Sequence, residues 1–356
     1  LSQAPTEPIW TQGLFVGRNR EFDILTAIFE EANSGHGSVV MLTGEPGIGK
    51  TRIIQELANL GAKRDTKVLW SRCYESSRRT PYWPWMQLIR SYIRDQDSNV
   101  LAETLGVGAA NISEIVTEIK DQLPGLTDPP VLEPDQARFR LFDSIANFFK
   151  RAAVDQTILL ALDDLHWADQ SSLMLLEFLG RELQGSPILI ATAHRNIDVP
   201  RGHVLSRTVG ELTTEPRFQH LQLYGLNLLD VKRYTEAIAS RTFPEQFIES
   251  VFDRTEGNPF FLTELIRLLE QEGVLAPEST DASPQPEGAV DSWQDIVPAE
   301  IREAIRTRLS RLTQSCNEVL TLASIIAREF ELGQLRTLFV DSTLDGLLTS
   351  LDEALA

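Results

Sequence analysis

The sequence predicts an α/β fold: a parallel β-sheet with helices on both faces, followed by a helical C-terminal third. Three observations carry this. Short apolar runs recur through the first two thirds without alternating apolar and polar residues, as expected of strands covered on both faces. Segments of helical period lie between them. After residue 226 the apolar runs stop and helical periodicity takes over.

The strands are "SVVMLT" (38–43), "KVLW" (67–70), "TILLALD" (157–163), "PILIATA" (187–193) and "HLQLYGL" (220–226). Between them "TRIIQELANLG" (51–61) is a helix, with Ile53, Ile54, Leu57 and Leu60 on one stripe. Further helices are predicted at 84–94, 111–123, 135–152 and 171–184. The C-terminal third adds helices at 227–240, 244–255 and 259–273. "APESTDASPQPEGAVDS" (276–292), rich in Pro, Ser, Gly and acids, reads as a linker. A last helical block spans 298–314, 316–327 and 332–339. No internal repeat is visible. The chain ends in "LDEALA" without a stop signal and starts without Met, so it reads as a piece of a longer protein.

With 356 residues, two or three domains with real cores are expected. An apolar fraction of 42% and a charged fraction of 24% describe a soluble globular chain. No apolar run approaches the roughly 18 residues that cross a bilayer. The start "LSQAPTEPIW" lacks the basic and apolar regions of a signal peptide. Two distant cysteines, Cys73 and Cys316, make neither a disulfide framework nor a metal site. A reduced, cytoplasmic setting follows as the expectation. The net charge of -18 disfavours a large nucleic-acid footprint, and the basic cluster "SRCYESSRR" (71–79) is too short to reverse it.

"GEPGIGKT" (44–51) follows a predicted strand and opens a predicted helix. It fits the phosphate-loop pattern G-x-x-x-x-G-K-[ST] in the context that pattern requires. Gly44, Gly47 and Gly49 permit turns that point successive N–H groups inward. The helix N-terminus adds its positive dipole. Lys50 can reach the β- and γ-phosphates, and the Thr51 hydroxyl can bind Mg²⁺. The fold class is therefore an α/β P-loop NTPase domain.

Asp163 and Asp164 end the third strand side by side. In such a domain one acid on a neighbouring strand holds Mg²⁺ through its water shell, the role given to Asp163. The second, Asp164, can orient and deprotonate the attacking water. His166 reads first as structural, with a switch or proton carrier as the alternative. Asp169, before Gln170-Ser171-Ser172, reads as a helix cap. Arg195, just past the fourth strand, faces the same carboxyl edge of the sheet. It can sense the γ-phosphate and stabilise transferring charge, or be a surface arginine.

With these residues in view the chain resembles the STAND class of signalling ATPases, a branch near AAA+ proteins. It looks most like the ATPase module of large LuxR-family regulators, also found fused to adenylate cyclases. "FVGRNREFDIL" (15–25), "GEPGIGKTR" (44–52), "LLALDDLHWAD" (159–169) and "EGNPFFLTEL" (256–265) carry the resemblance. "SRCYESSRRTPYWPWMQLIR" (71–90) and "RFRLFDSIANFF" (138–149) share the style. The resemblance implies an α/β domain (10–226), a small helical domain (227–275), a linker (276–297) and a partial winged-helix domain (298–356). It implies ATP or ADP with Mg²⁺ as cofactors. The nucleotide-binding set becomes Val16, Gly17, Arg18, Gly44, Pro46, Gly47, Ile48, Gly49, Lys50, Thr51, Arg52 and Pro259. In it Val16 and Arg18 pack on the adenine, and Pro259 of the Gly257–Pro259 element contacts the base. Lys50, Asp164 and Arg195 form the catalytic set, with Thr51 and Asp163 as metal ligands. The implied function is a slow ATPase switch: ADP locks a closed form, and ATP with an unknown inducer opens it and permits self-association. The chain departs from the class in lacking a clear Met-His-Asp element, sensor repeats and a C-terminal helix-turn-helix. Two other readings stand beside it, a non-hydrolysing nucleotide-binding scaffold and an origin-recognition-like DNA-binding ATPase. The acidic balance counts against the latter.

Overall fold

The computed structural model describes residues 14–74, 80–94, 96–195 and 204–271, and in the C-terminal part 309, 312–326, 335–336 and 344–355. It divides into two compact units. The first holds residues 18–195 and 204–224, and the second holds 14–17 and the described residues from Gly225 onward.

In chain order the first unit runs α1 (Asn19–Asn33), β1 (Ser38–Thr43), α2 (Lys50–Ala62), β2 (Lys67–Arg72) and α3 (Trp83–Ile93). It continues with α4 (Ser98–Leu105), α5 (Ala109–Ile112), α6 (Glu118–Gln122), α7 (Pro134–Ala152) and β3 (Ile158–Asp163). It closes with α8 (Gln170–Glu182), β4 (Ile188–Ala193), α9 (Val204–Thr213) and β5 (Phe218–Gln222). The strands form one parallel sheet in the order β2-β3-β4-β1-β5. Every residue of the three central strands is buried, while edge strands β2 and β5 are only partly covered. The runs without alternation are therefore the central strands, as covering both faces demands. Apolar side chains from α3, α7 and α8, among them Trp85, Phe148, Phe149 and Leu176, close one core over the sheet. The pairing Trp85–Phe149, with ring centroids 6.3 Å apart, adds aromatic contact to that burial.

Several elements differ from the sequence expectation. β5 is Phe218–Gln222 and not 220–226, because its ladder partner β1 ends at Thr43, opposite Gln222. The expected helix at 111–123 is two short helices, α5 and α6, with a one-turn 3₁₀ helix, Gly106–Gly108, before α5. α4 precedes them, capped by Asp97, which accepts from the amides of Asn99 and Val100. At its other end Arg151 of α7 donates to the carbonyls of Thr104 and Leu105, both at 2.6 Å. That long-range C-cap is invisible in local sequence. α1 and α9 are additional helices. α1 buries Leu25, Ile28, Phe29 and Ala32, a stripe at helical spacing. Asp169 caps α8 as expected, accepting from the Ser172 amide at 2.9 Å.

The second unit contains α10 (Leu228–Ala239), α11 (Glu245–Thr255), α12 (Pro259–Gln271), α13 (Gln314–Ile326) and α14 (Leu344–Leu355). Val231, Phe247, Val251, Leu262 and Ile266 form the core of α10 to α12. The chain crosses itself tightly where Leu226 N–H donates to the Gly257 carbonyl at 2.7 Å. A Cβ on Gly257, whose φ is +69°, would lie 2.0 Å from the Leu226 oxygen, so only glycine fits. Val319, Ala323, Leu335 and Leu347 form a separate small cluster beneath α13 and α14. The linker at 276–297 and the helix at 298–314 fall almost wholly outside the described residues, as does most of 332–339. The winged-helix expectation rests on those segments.

Candidate nucleotide-binding site

The loop from Gly44 to Gly49 joins β1 to α2 at the carboxyl edge of the sheet, where open α/β folds bind ligands. Its glycines have φ values of +151° (Gly44), +79° (Gly47) and +100° (Gly49). Gly44 is doubly constrained, because a Cβ there would meet the Leu223 oxygen at 2.7 Å and Ile48 Cγ2 at 2.9 Å. Ile48 is only 2% exposed and anchors the loop in the core. Lys50 opens α2 with its side chain turned back, donating from Nζ to the carbonyls of Gly44 and Glu45, both at 2.8 Å. Burial, followed by the charge of Arg195, lowers the Lys50 ammonium to about 8 against the pull of Asp164, Asp163 and Glu45. Pro46 is exposed on the loop, and Arg52 pairs along α2 with Glu56 at 2.6 Å.

The third strand delivers the acid pair to this loop. Thr51 Oγ1 donates to Asp163, 2.9 Å from Oδ2 and 3.1 Å from Oδ1. Asp163 is 2% exposed, and burial, then the charge of Asp164, raises its carboxyl above the usual range. The Thr51 hydroxyl, Arg72 and the Asp164 amide oppose that rise. Asp164 itself is left-handed, with φ +55°, so the chain turns sharply after β3, and its amide donates to Asp163 Oδ1 at 3.0 Å. A hydroxyl and a buried carboxylate in direct contact are hard oxygen donors. They fit a magnesium ion that takes its remaining ligands from phosphates and water. Among the described residues no group of three or more His, Cys, Asp or Glu could hold a metal by protein ligands alone.

Arg72 is the residue that sequence reasoning missed. Parallel pairing sets it beside Asp163 at the end of β2, and its Nε and Nη2 both donate to Asp164 Oδ2 at 2.9 Å. Burial alone would lower the Arg72 guanidinium, but the hydrogen bond and charge of Asp164 raise it. No local signal places residue 72 on residue 164, because the pairing follows from strand order. Cys73, one residue on, is 1% exposed, and burial followed by the charges of Asp164, Asp169 and Asp163 pushes its thiol up to about 12.

Arg195 lies half-buried just beyond β4, between the strands carrying the acids and the loop, and its charge reaches both Lys50 and His166. Its neighbour His194 is buried, with Nδ1 2.9 Å from the Arg195 carbonyl and its ring stacked on His220. His220 Nε2 lies 3.1 Å from the hydroxyl of Thr43, the last residue of β1. Burial lowers His166 to about 4, which leaves it neutral at pH 7 and fits the structural reading.

The expected set is thus divided. The first unit brings Gly44 to Arg52, Asp163, Asp164 and Arg195 to one sheet edge. Arg18 belongs there too, but its guanidinium is engaged with the Ile48 carbonyl and Glu21. Val16, Gly17 and Pro259 belong to the second unit. There Pro259 opens α12 behind Asn258, whose side-chain oxygen accepts from the Phe260 amide at 3.1 Å, as a helix start requires.

A glycine-rich loop before a helix, a lysine and threonine at that helix start, and an acid pair on a neighbouring parallel strand define a P-loop nucleotide-binding domain. The AAA ATPase domain family matches residues 14–191, half of the chain, and the chain belongs to that family. It is 22% identical to an uncharacterized protein of Rhizobium meliloti strain 1021, over 96% of this chain and 32% of that protein. The chain thus spans about a third of the length of that curated relative. Among solved structures it is similar to ORC1 of Aeropyrum pernix in complex with DNA, at 14% identity, 98% and 85% coverage and TM-score 0.47. A STAND ATPase with a tetratricopeptide repeat sensor from Pyrococcus horikoshii gives 14%, 96% and 39% coverage and TM-score 0.43. AMPPCP-bound DnaA from Aquifex aeolicus gives 12%, 96% and 86% coverage and TM-score 0.43.

Proposed function

We propose that the chain is an adenine-nucleotide switch of the STAND type, binding ATP or ADP with Mg²⁺ and hydrolysing ATP slowly. In this reading it controls signal-dependent opening and self-association of a larger cytoplasmic regulatory protein. The observation that supports it most is the contact of Thr51 with Asp163, which joins the loop to the acid pair. Gly44, Gly47, Ile48 and Gly49 present backbone amides to the phosphates, and Lys50 leaves its two carbonyls to pair with the β- and γ-phosphates. Thr51 and Asp163 hold Mg²⁺, which when bound offsets the charge on the phosphate oxygens. Asp164 orients and deprotonates the attacking water, and Arg195 stabilises charge on the transferring group. Val16, Gly17 and Pro259 are assigned to the base through the family resemblance alone. The inducer acts through parts of the protein outside this chain, and the acidic balance argues against nucleic acid as a partner of this piece.

Calorimetry with ADP and Mg²⁺ on the parent and Lys50→Ala proteins tests the reading. Lys50 supplies the side-chain charge for the β-phosphate, so its removal is expected to abolish most binding. Equal affinities would refute the site. The scaffold reading, binding without turnover, draws support from Arg72, which occupies one oxygen of Asp164. Phosphate release above the Asp164→Asn background decides for the switch, and its absence for the scaffold.

A further inference from the structure

We propose that Arg18 is a positioning residue of the phosphate loop: its buried guanidinium holds the Ile48 carbonyl and thereby aims the Gly49 amide at the phosphates. The inference rests on the reading of Gly44–Thr51 as a phosphate site, and it departs from an adenine contact for Arg18.

Arg18 is 9% exposed and sits at the start of α1 in a left-handed conformation, φ +64°. Both features are costly: a non-glycine residue there is strained, and a buried cation needs partners. The partners are specific. Nη2 donates to the Ile48 carbonyl at 3.0 Å in a buried bond spanning 30 residues of sequence, and Nη1 donates to Glu21 Oε1 at 3.2 Å. Glu21 fixes the fork, and the fork fixes the carbonyl.

Peptide geometry gives that bond its consequence. The described residues contain no cis peptide, and in a trans peptide the C=O of one residue and the N–H of the next point in opposite directions. With the Ile48 oxygen held by Arg18, the Gly49 N–H faces away from Arg18. Gly49 is the N-cap of α2, the end that presents unpaired amides to an anion, and its own N–H finds no backbone acceptor among the described residues. A hold is needed because rotating the Ile48–Gly49 peptide changes ψ of Ile48 and φ of Gly49. Glycine accepts either sign of φ, so the flipped peptide is accessible. A flipped peptide would turn a carbonyl oxygen toward the phosphates. The Ile48 side chain is locked in the core, which leaves the peptide plane as the free variable that Arg18 removes.

The test uses the whole chain. Arg18→Met keeps an apolar stem in the same space and removes the donors. Its affinities for AMP, ADP and ATP are measured by calorimetry with Mg²⁺, together with GDP. The loss of one oriented charge-assisted bond should weaken ADP and ATP binding roughly tenfold, and AMP binding much less. The preference for ADP over GDP should stay as in the parent. Arg18→Lys, which keeps a cationic donor, should recover most of the loss. Unchanged ADP affinity, or equal losses for AMP and ADP, overturns the proposal. A changed ADP to GDP ratio overturns it too, and places Arg18 on the base. A parent protein that binds no nucleotide refutes the phosphate site itself, a separate outcome. If Arg18→Met does not fold, Glu21→Gln carries the test, because it loosens the same guanidinium. It must then weaken ADP more than AMP, or the proposal fails.

Discussion

Replacing His194 by Asn is expected to make the sheet-bearing unit less sensitive to mild acid. The ring is 6% exposed, its Nδ1 hydrogen-bonds the Arg195 carbonyl, and its Nε2 is buried without a hydrogen-bond partner. A carbonyl only accepts, so Nδ1 carries the proton and Nε2 the lone pair. Protonating Nε2 would bury a charge. Burial first, then the charges of His220 and Lys50, hold the folded pKa at about 4 against an ordinary 6.5, despite the opposing Arg195 carbonyl. The unfolded chain therefore binds a proton between these values that the folded chain refuses. The stability tied to neutral His194 is present above pH 6.5 and is lost as the pH falls toward 4. Between pH 7 and 5 this linkage removes about 2 kcal/mol from the parent. His194→Asn lacks that loss. His166 and Asp163 titrate in both proteins, and His194 contributes to the lowered His166 only after burial, Asp164 and Arg195, so most of their contribution is shared in the comparison. Urea unfolding of both proteins at the two pH values, followed by circular dichroism and tryptophan fluorescence, measures the difference. An equal loss of stability in the two proteins would refute a neutral, buried His194.

Asp164→Asn is expected to keep ATP binding and to lose turnover by about 10²-fold or more, read as phosphate release. Asp163→Asn should in addition lose the Mg²⁺ dependence of binding, read by calorimetry with and without the ion. The Cys73 thiol, pushed up to about 12 by burial and three neighbouring carboxylates, should resist a disulfide reagent in the native protein and react in urea. Peptide mapping of the labelled protein checks this, and native-state labelling at Cys73 would contradict its burial.

The candidate site divides by how its residues are specified. Gly44 to Thr51 were legible because strand, loop and helix are contiguous, and the positive φ of three glycines is a local requirement. The acid pair was legible for a related reason, since an apolar run without alternation must be a covered strand, and charges can appear only where it ends. Asp169 followed from local capping chemistry. The helices α1 and α9 carry usable periodicity of their own, whereas α5 and α6 are too short to hold a stripe.

The sequence by itself determined the central strands, the phosphate loop and the acid pair, because their signals act within a few residues of chain. The tertiary structure decided which strands lie side by side, and with that every contact between distant residues. Thr51 meets Asp163 across 112 residues, Arg72 meets Asp164 across 92, and Arg18 meets Ile48 across 30. Parallel strands are joined by crossovers, so sequence fixes neither their order nor their register until both faces of the sheet are packed. That packing turned Arg72 from one member of a basic cluster into the partner of Asp164, and it joined the Arg18 guanidinium to the Ile48 carbonyl.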